Sequence, residues 1–304
     1  MSDIKLFKIV NSVVTELEGR SATVEKSLQN QIETNLEAFL GVKMIASEYS
    51  TGKKHGGRID TLGLDEDGSP VIVEYKRALN ENVINQGLFY LDWLMDHKAE
   101  FTLLVMNKFG KSVSDSIDWS GPRLLCIAGD FTKYDQHAVG QINRNIELIR
   151  YKRYGESLLL FELVNVTTAQ NQNEGISTIG VSGKKSYKSV SEYHAQSDPR
   201  LIDLFEVLKA FLLAMGDDVQ MKTLKFYYAF KRFKNFACVE IHPQTCQLLV
   251  YVKVDPNLVG LEDGFTRDVS SIGHFGTGNL EIRIQSEKDF EKAKPLLIQS
   301  YEVS

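Results

Sequence analysis

Cysteine is scarce in this chain. There are three in 304 residues (Cys126, Cys238 and Cys246), and no C-x-x-C pair. So sparse and odd a set excludes a disulfide framework, and no histidine stands at zinc-like spacing to a cysteine. Long apolar runs are missing too. No segment approaches the ~18 apolar residues of a membrane-spanning helix. Residues 1–20 carry no signal-peptide core, because lysines break Ile4-Lys5-Leu6-Phe7-Lys8-Ile9-Val10. These absences lead us to expect a cytoplasmic protein with no membrane partner. Excess positive charge is also lacking. The formal net charge of −5 argues against a chain that coats nucleic acid by bulk charge, but permits a local basic groove offset by acids elsewhere.

What is present is ordinary globular material: 43% hydrophobic and 25% charged residues, enough for two domains. From residue 22 the pattern is helical. Ser21 or Thr23 can cap it, Val24, Leu28, Ile32, Leu36 and Leu40 share one face, and Gly41 ends it. Arg58-Ile-Asp-Thr-Leu-Gly-Leu64, the turn Asp65-Glu-Asp-Gly-Ser-Pro70 and Val71-Ile-Val-Glu-Tyr-Lys76 form a hairpin signature. A helix is expected over 85–98, strands over 101–106 and 123–128, and a helix between 139 and 149. A β pattern follows at 146–151 or 158–163. Such alternation predicts an α/β domain over residues 1–166. Residues 167–188 are rich in Gly, Asn, Gln and Ser and read as a linker. Residues 189–304 then read as a smaller α+β domain: a helix over 201–215, strands over 236–241, 248–254 and 280–284, and a closing helix over 287–298.

The hairpin carries the chemistry. Residues i and i+2 of a strand face one side, so Glu74 and Lys76 point together. A hairpin folded about Asp67 sets Asp60 opposite Glu74, with Cβ atoms about 5 Å apart. Two carboxylates that close repel, and a divalent cation relieves the repulsion. Mg²⁺ or Mn²⁺ suits such a site, being held by one or two carboxylates, waters and a substrate phosphate. Lys76 would orient a water or stabilise developing charge. The preceding helix offers a further carboxylate, Glu25 by preference or Glu33.

With these residues in view, the chain resembles the PD-(D/E)XK nucleases. Gly57-Arg58-Ile59-Asp60 followed by Glu74-Tyr75-Lys76 matches the D…E-x-K motif, and the likeness is greatest to the NucS/EndoMS mismatch endonucleases. Glu25, Leu28, Asn35 and Leu36 match the pattern of the helix before that motif, and Gln86 matches a glutamine after it. No proline precedes Asp60, a departure from the motif's name. Over residues 21–165 the resemblance implies a restriction-endonuclease-like α/β core, a mixed central sheet flanked by helices. It also implies a divalent metal on Asp60 and Glu74, catalysis by Asp60, Glu74, Lys76, Gln86 and Glu25, DNA as substrate, and homodimeric action in repair or in defence against foreign DNA. Residues 189–304 resemble a domain of unknown function (DUF5655-like), marked by Ile272-Gly-His-Phe-Gly-Thr-Gly-Asn279. The rival reading is a core that binds nucleic acid or protein without cutting.

Basic residues near the motif are candidate DNA contacts: Lys54, His55 and Arg58 in a basic loop before the strand, and Arg150, Lys152 and Arg153 in Arg150-Tyr-Lys-Arg-Tyr154. His97 is placed to cap the C-terminus of its helix. The aromatic-basic stretch 225–234 reads better as core rings with solvated lysines than as a nucleic-acid platform. The glycine-rich 273–278 lacks the lysine and the strand–loop–helix order of a phosphate loop.

Overall fold

The computed structural model describes residues 4–20, 25–76, 83–167 and 189–304, without the side chains of Glu25 and Lys54. The helix caps expected at Ser21 and Thr23, and all but Thr167 of the expected linker, lie outside these residues. The chain divides into two compact units, Met1–Glu174 and Gly175–Ser304. Among the described residues no helix is long and apolar enough to cross a membrane.

The first unit opens with a hairpin, β1 (Leu6–Val10) and β2 (Val13–Leu17), and a short β3 (Gly19–Arg20). Helices α1 (Glu25–Thr34) and α2 (Leu36–Leu40) follow, broken at Asn35. They bury Leu28, Ile32, Leu36 and Leu40, and Gly41 caps α2 in the left-handed region (φ 63°), as the spacing predicted. Next come β4 (Val42–Ser50), α3 (Gly52–His55), β5 (Arg58–Asp65) and β6 (Pro70–Lys76). Then come α4 (Val83–Asp96), α5 (Lys98–Phe109), α6 (Lys111–Asp115), β7 (Arg123–Ala128), α7 (Lys133–Gly140), β8 (Asn145–Tyr154) and β9 (Leu158–Thr167).

These strands make one mixed sheet in the order β3-β8-β7-β6-β5-β4, with β9 also on β8. The hairpin β4-β5-β6 is antiparallel, while β6-β7-β8 is parallel and linked by helices. Its centre is buried on both faces. Val71, Ile72, Val73, Leu124, Leu125 and Ile127 are all fully buried, the continuous apolar pattern of a covered parallel sheet. The fold is thus mixed α/β, as expected.

Two expected elements are corrected. Residues 101–106 are not a strand but the middle of α5. Phe101 and Val105 are buried while Leu103 and Met106 are exposed, so the buried positions recur every four residues. The helix expected between 139 and 149 lies earlier, over α7. Its start is a capping box, Thr132 with Asp135, and β8 begins at Asn145.

The second unit contains α8 (Val190–Ala195), α9 (Pro199–Leu213), β10 (Gln220–Thr223), β11 (Tyr228–Lys231), β12 (Asn235–His242), β13 (Gln247–Val252), β14 (Thr266–Asp268), β15 (Leu280–Ile284) and α10 (Glu287–Glu302). Its strands form an antiparallel sheet in the order β10-β11-β12-β13-β15-β14. One face packs on α9 and α10 through Phe205, Leu208, Phe230, Val239, Val250 and Leu297. Tyr227, Tyr228 and Phe230 of the aromatic-basic stretch are buried, so these three rings are core, but Lys231 is buried with them rather than solvated as expected. The glycine-rich segment lies over the other face: the His274 ring stacks on Tyr251 at 4.4 Å and Phe275 on Phe226 at 4.4 Å. Gly276 has φ 82°, and a Cβ there would meet Cys238 at 2.6 Å, so both conformation and space demand glycine.

Candidate active site

The site lies where the β5–β6 ladder stops. Its register runs Leu64↔Pro70, Gly63↔Val71, Leu62↔Ile72 and Thr61↔Val73, so the next opposed residues are Asp60 and Glu74. Here side chains replace the backbone pairing. The Asp60 N–H donates to Glu74 Oε1 at 3.1 Å, and the Tyr75 N–H donates to Asp60 Oδ2 at 3.0 Å. The two strands part, and two carboxylates occupy the gap between them. The turn that sets this register is held by Asp65, whose Oδ1 accepts from the N–H groups of Asp67 and Ser69.

Glu74 is fully buried. Its other oxygen, Oε2, accepts from Gln86 Nε2 at 2.8 Å, so α4 holds the carboxylate from its first turn. Burial first, and the Asp60 charge second, push the Glu74 carboxyl up to about 9; Lys76 acts in the opposite direction and is outweighed. Without a cation the pair therefore keeps a proton at neutral pH. Asp60, Glu74, Lys76 and Gln86 are thus brought together.

Other expected site residues fare differently. Glu25 opens α1, but its side chain is outside the described residues, as is that of Lys54. Glu33 does not join the pair. Its carboxylate accepts from Thr61 Oγ1 (2.6 Å), Ser47 Oγ (3.0 Å) and Gln29 Nε2 (2.9 Å), and Thr61 Oγ1, its one proton given to Glu33, lies 3.2 Å from the Tyr75 hydroxyl. It thus anchors α1 to the sheet. His55 is not in an open loop but ends α3, its ring against Phe89 and His97. His97 Nδ1 lies 2.8 Å from the Trp93 carbonyl, at the end of α4 as expected. Arg58 is exposed and bonded to Glu48 at 2.5 Å.

Arg150 is a correction. It sits in β8, 7% exposed, between Asp130 (2.9 Å) and Glu162 (2.6 Å), so its guanidinium is spent inside the unit rather than offered to phosphate. Lys152 and Arg153 lie further along the same strand, half-buried, and Arg153 bonds Gln31. Sequence reasoning missed Gln29 and Tyr90. The Tyr90 hydroxyl accepts the Arg58 N–H at 3.1 Å, and a Cβ on Gly57 would meet its ring at 2.5 Å. The glycine before Arg58 was the available signal for that close approach.

Known proteins place the chain as follows. Residues 189–304 match a family described as a domain of unknown function (DUF5655). An uncharacterised protein of Haemophilus influenzae is 27% identical over 98% of this chain and 99% of its own length. Among solved structures, a repair endonuclease from Pyrococcus abyssi is 20% identical with a TM-score of 0.28, covering 42% of this chain and 48% of that one. EndoMS bound to double-stranded DNA gives 19% and 0.24, covering 45% and 47%. The chain thus matches about half the length of those two structures.

Proposed function

We propose that the first unit is a Mg²⁺- or Mn²⁺-dependent endonuclease that hydrolyses phosphodiester bonds in DNA, on a PD-(D/E)XK core. The observation that carries this reading is the buried Glu74 facing Asp60 where the strands part, beside Lys76. The donor set fits the metal. Mg²⁺ takes oxygen ligands and needs only one or two protein carboxylates.

Asp60 and Glu74 would hold the metal. When bound, it polarises the scissile phosphate and lowers the pKa of a water. Glu74 must give up its proton to serve, and Gln86 fixes the orientation of its carboxylate. Each carboxylate oxygen has two lone pairs, so a bonded oxygen can still coordinate. Lys76, two residues along the strand, supplies an ammonium for charge developing on phosphate oxygens. Cutting both strands calls for two such sites, which a homodimer would supply. Repair or defence against foreign DNA is the role we propose for it.

The second reading is a core that holds nucleic acid or protein without cutting. Supercoiled plasmid separates the two. The first reading expects nicking that needs Mg²⁺ or Mn²⁺ and is lost in Asp60→Ala and Lys76→Ala. No cleavage of any DNA form by the wild type, or equal cleavage by the variants, would sink it.

A further inference from the structure

We infer that Gln29, on α1, is a positioning residue for Asp60, an inference that rests on the metal site proposed above. Gln29 is 3% exposed, yet its amide is fully engaged. Nε2 donates to the Asp60 carbonyl oxygen at 3.0 Å and to Glu33 Oε1 at 2.9 Å, while Oε1 accepts from Lys26 Nζ at 3.2 Å. These neighbours fix the amide's orientation. The Asp60 carbonyl, Glu33 and, at 3.5 Å, Ser47 Oγ face the nitrogen and a cation faces the oxygen, so the flipped amide would lose its bonds to Asp60, Glu33 and Lys26.

Asp60 needs such a hold because the sheet gives it little. On the β6 side the ladder ends at Thr61↔Val73. On the β4 side the register passes from Ser47↔Thr61 to Tyr49↔Ile59, over Glu48, whose φ is 54°. The Asp60 N–H is taken by Glu74 and its C=O by Gln29, so both backbone groups are satisfied by side chains. A carboxylate that shares a cation with Glu74 has to be fixed within a fraction of an ångström. Gln29 fixes the peptide that bears it, and Glu33, tied to Thr61 and Ser47, fixes Gln29. Glu33 therefore belongs to the support of the site.

The test is Mn²⁺ binding to the full chain, read by the electron paramagnetic resonance of free Mn²⁺. Gln29→Met keeps the length but removes the donors, and Gln29→Asn keeps the amide but shortens its reach. Both are compared with the wild type and with Asp60→Asn. We expect both Gln29 variants to bind Mn²⁺ about tenfold or more weakly while their circular dichroism stays that of the wild type. Gln29→Lys, which restores a donor, should recover to within about threefold. The Mg²⁺ concentration for half-maximal nicking should rise in parallel while the KM for DNA stays put. If a folded Gln29→Met or Gln29→Asn binds Mn²⁺ within twofold of the wild type, and Asp60→Asn does not bind, the positioning role is overturned and the metal site stands. A wild type that binds no Mn²⁺, or an Asp60→Asn that binds it equally, overturns both.

Discussion

The two ends of the β5–β6 hairpin bury acidic groups in opposite ways. At the turn, Arg123 lies between Asp65 and Glu147, at 2.9 and 2.7 Å, and all three side chains are at most 5% exposed. At the open end, Glu74 is just as buried, but its bonds come from a backbone N–H and the neutral Gln86; the Asp60 carboxylate beside it outweighs the more weakly felt Lys76 ammonium, and among the described residues no guanidinium bonds it. The second unit follows the first pattern: buried Glu281 is bonded to both Arg267 and Arg283. Burying carboxylates costs several kcal/mol unless the charge is compensated. Where a guanidinium is built in, the cluster serves the fold. Where it is withheld, we propose that the protein keeps a place for a cation from outside.

Changes at each end should break this contrast in order of size. Arg123→Ala removes the guanidinium that both buried Asp65 and Glu147 bond, and should cost about 3–5 kcal/mol in denaturant unfolding. An Arg123→Met, Asp65→Asn, Glu147→Met triple change, in which the amide oxygen placed at position 65 can still accept from the Asp67 and Ser69 N–H groups, should be milder. An Arg123→Ala cost under about 1 kcal/mol would mean that the turn cluster is not structural in the sense argued.

Asp60→Asn should do the reverse. It should lower nicking about a thousandfold, worth about 4 kcal/mol of barrier, while metal-free stability moves by less than about 1 kcal/mol, the ordinary range for such a change.

Glu74→Gln sharpens the electrostatic side. The Glu74 carboxyl is raised in the folded chain from about 4.5 to about 9, so folding favours its protonated form. That contribution is complete below the unfolded value and fades as pH climbs through the folded one. Metal-free protein should therefore weaken between pH 5 and 9 by several kcal/mol. Glu74→Gln, which cannot ionise, should escape this loss while losing activity. Thermal melts across that pH range decide it, and parallel curves for both proteins would contradict it. Gln86→Leu should have the smallest effect, about a tenfold loss of nicking from one missing hydrogen bond, with affinity for DNA unchanged.

Much of the site was legible because a strand's period of two and a turn fixed by Asp65 leave one register, and that register puts Asp60 opposite Glu74. What stayed hidden depends on contacts distant in sequence. Arg150 reads as a surface cation until Asp130 and Glu162 close on it. Gln29 is one polar residue of a helix until its amide meets the Asp60 carbonyl, and Glu33 reads as a spare ligand until Thr61 and Ser47 claim it. The error over residues 101–106 has another cause: a six-residue apolar run fits a buried strand or a helix equally well, and burial alone separated them.

The central claim is that Asp60 and Glu74 hold a divalent cation where the hairpin opens, and calorimetric titration with Mn²⁺ at pH 7 tests it most directly. The account predicts one ion bound by the wild type with release of up to one proton as Glu74 ionises, seen by comparing buffers of different ionisation enthalpy. Asp60→Asn and Glu74→Gln should both abolish it. An ion bound without proton release, or bound as well by either variant, would contradict the account.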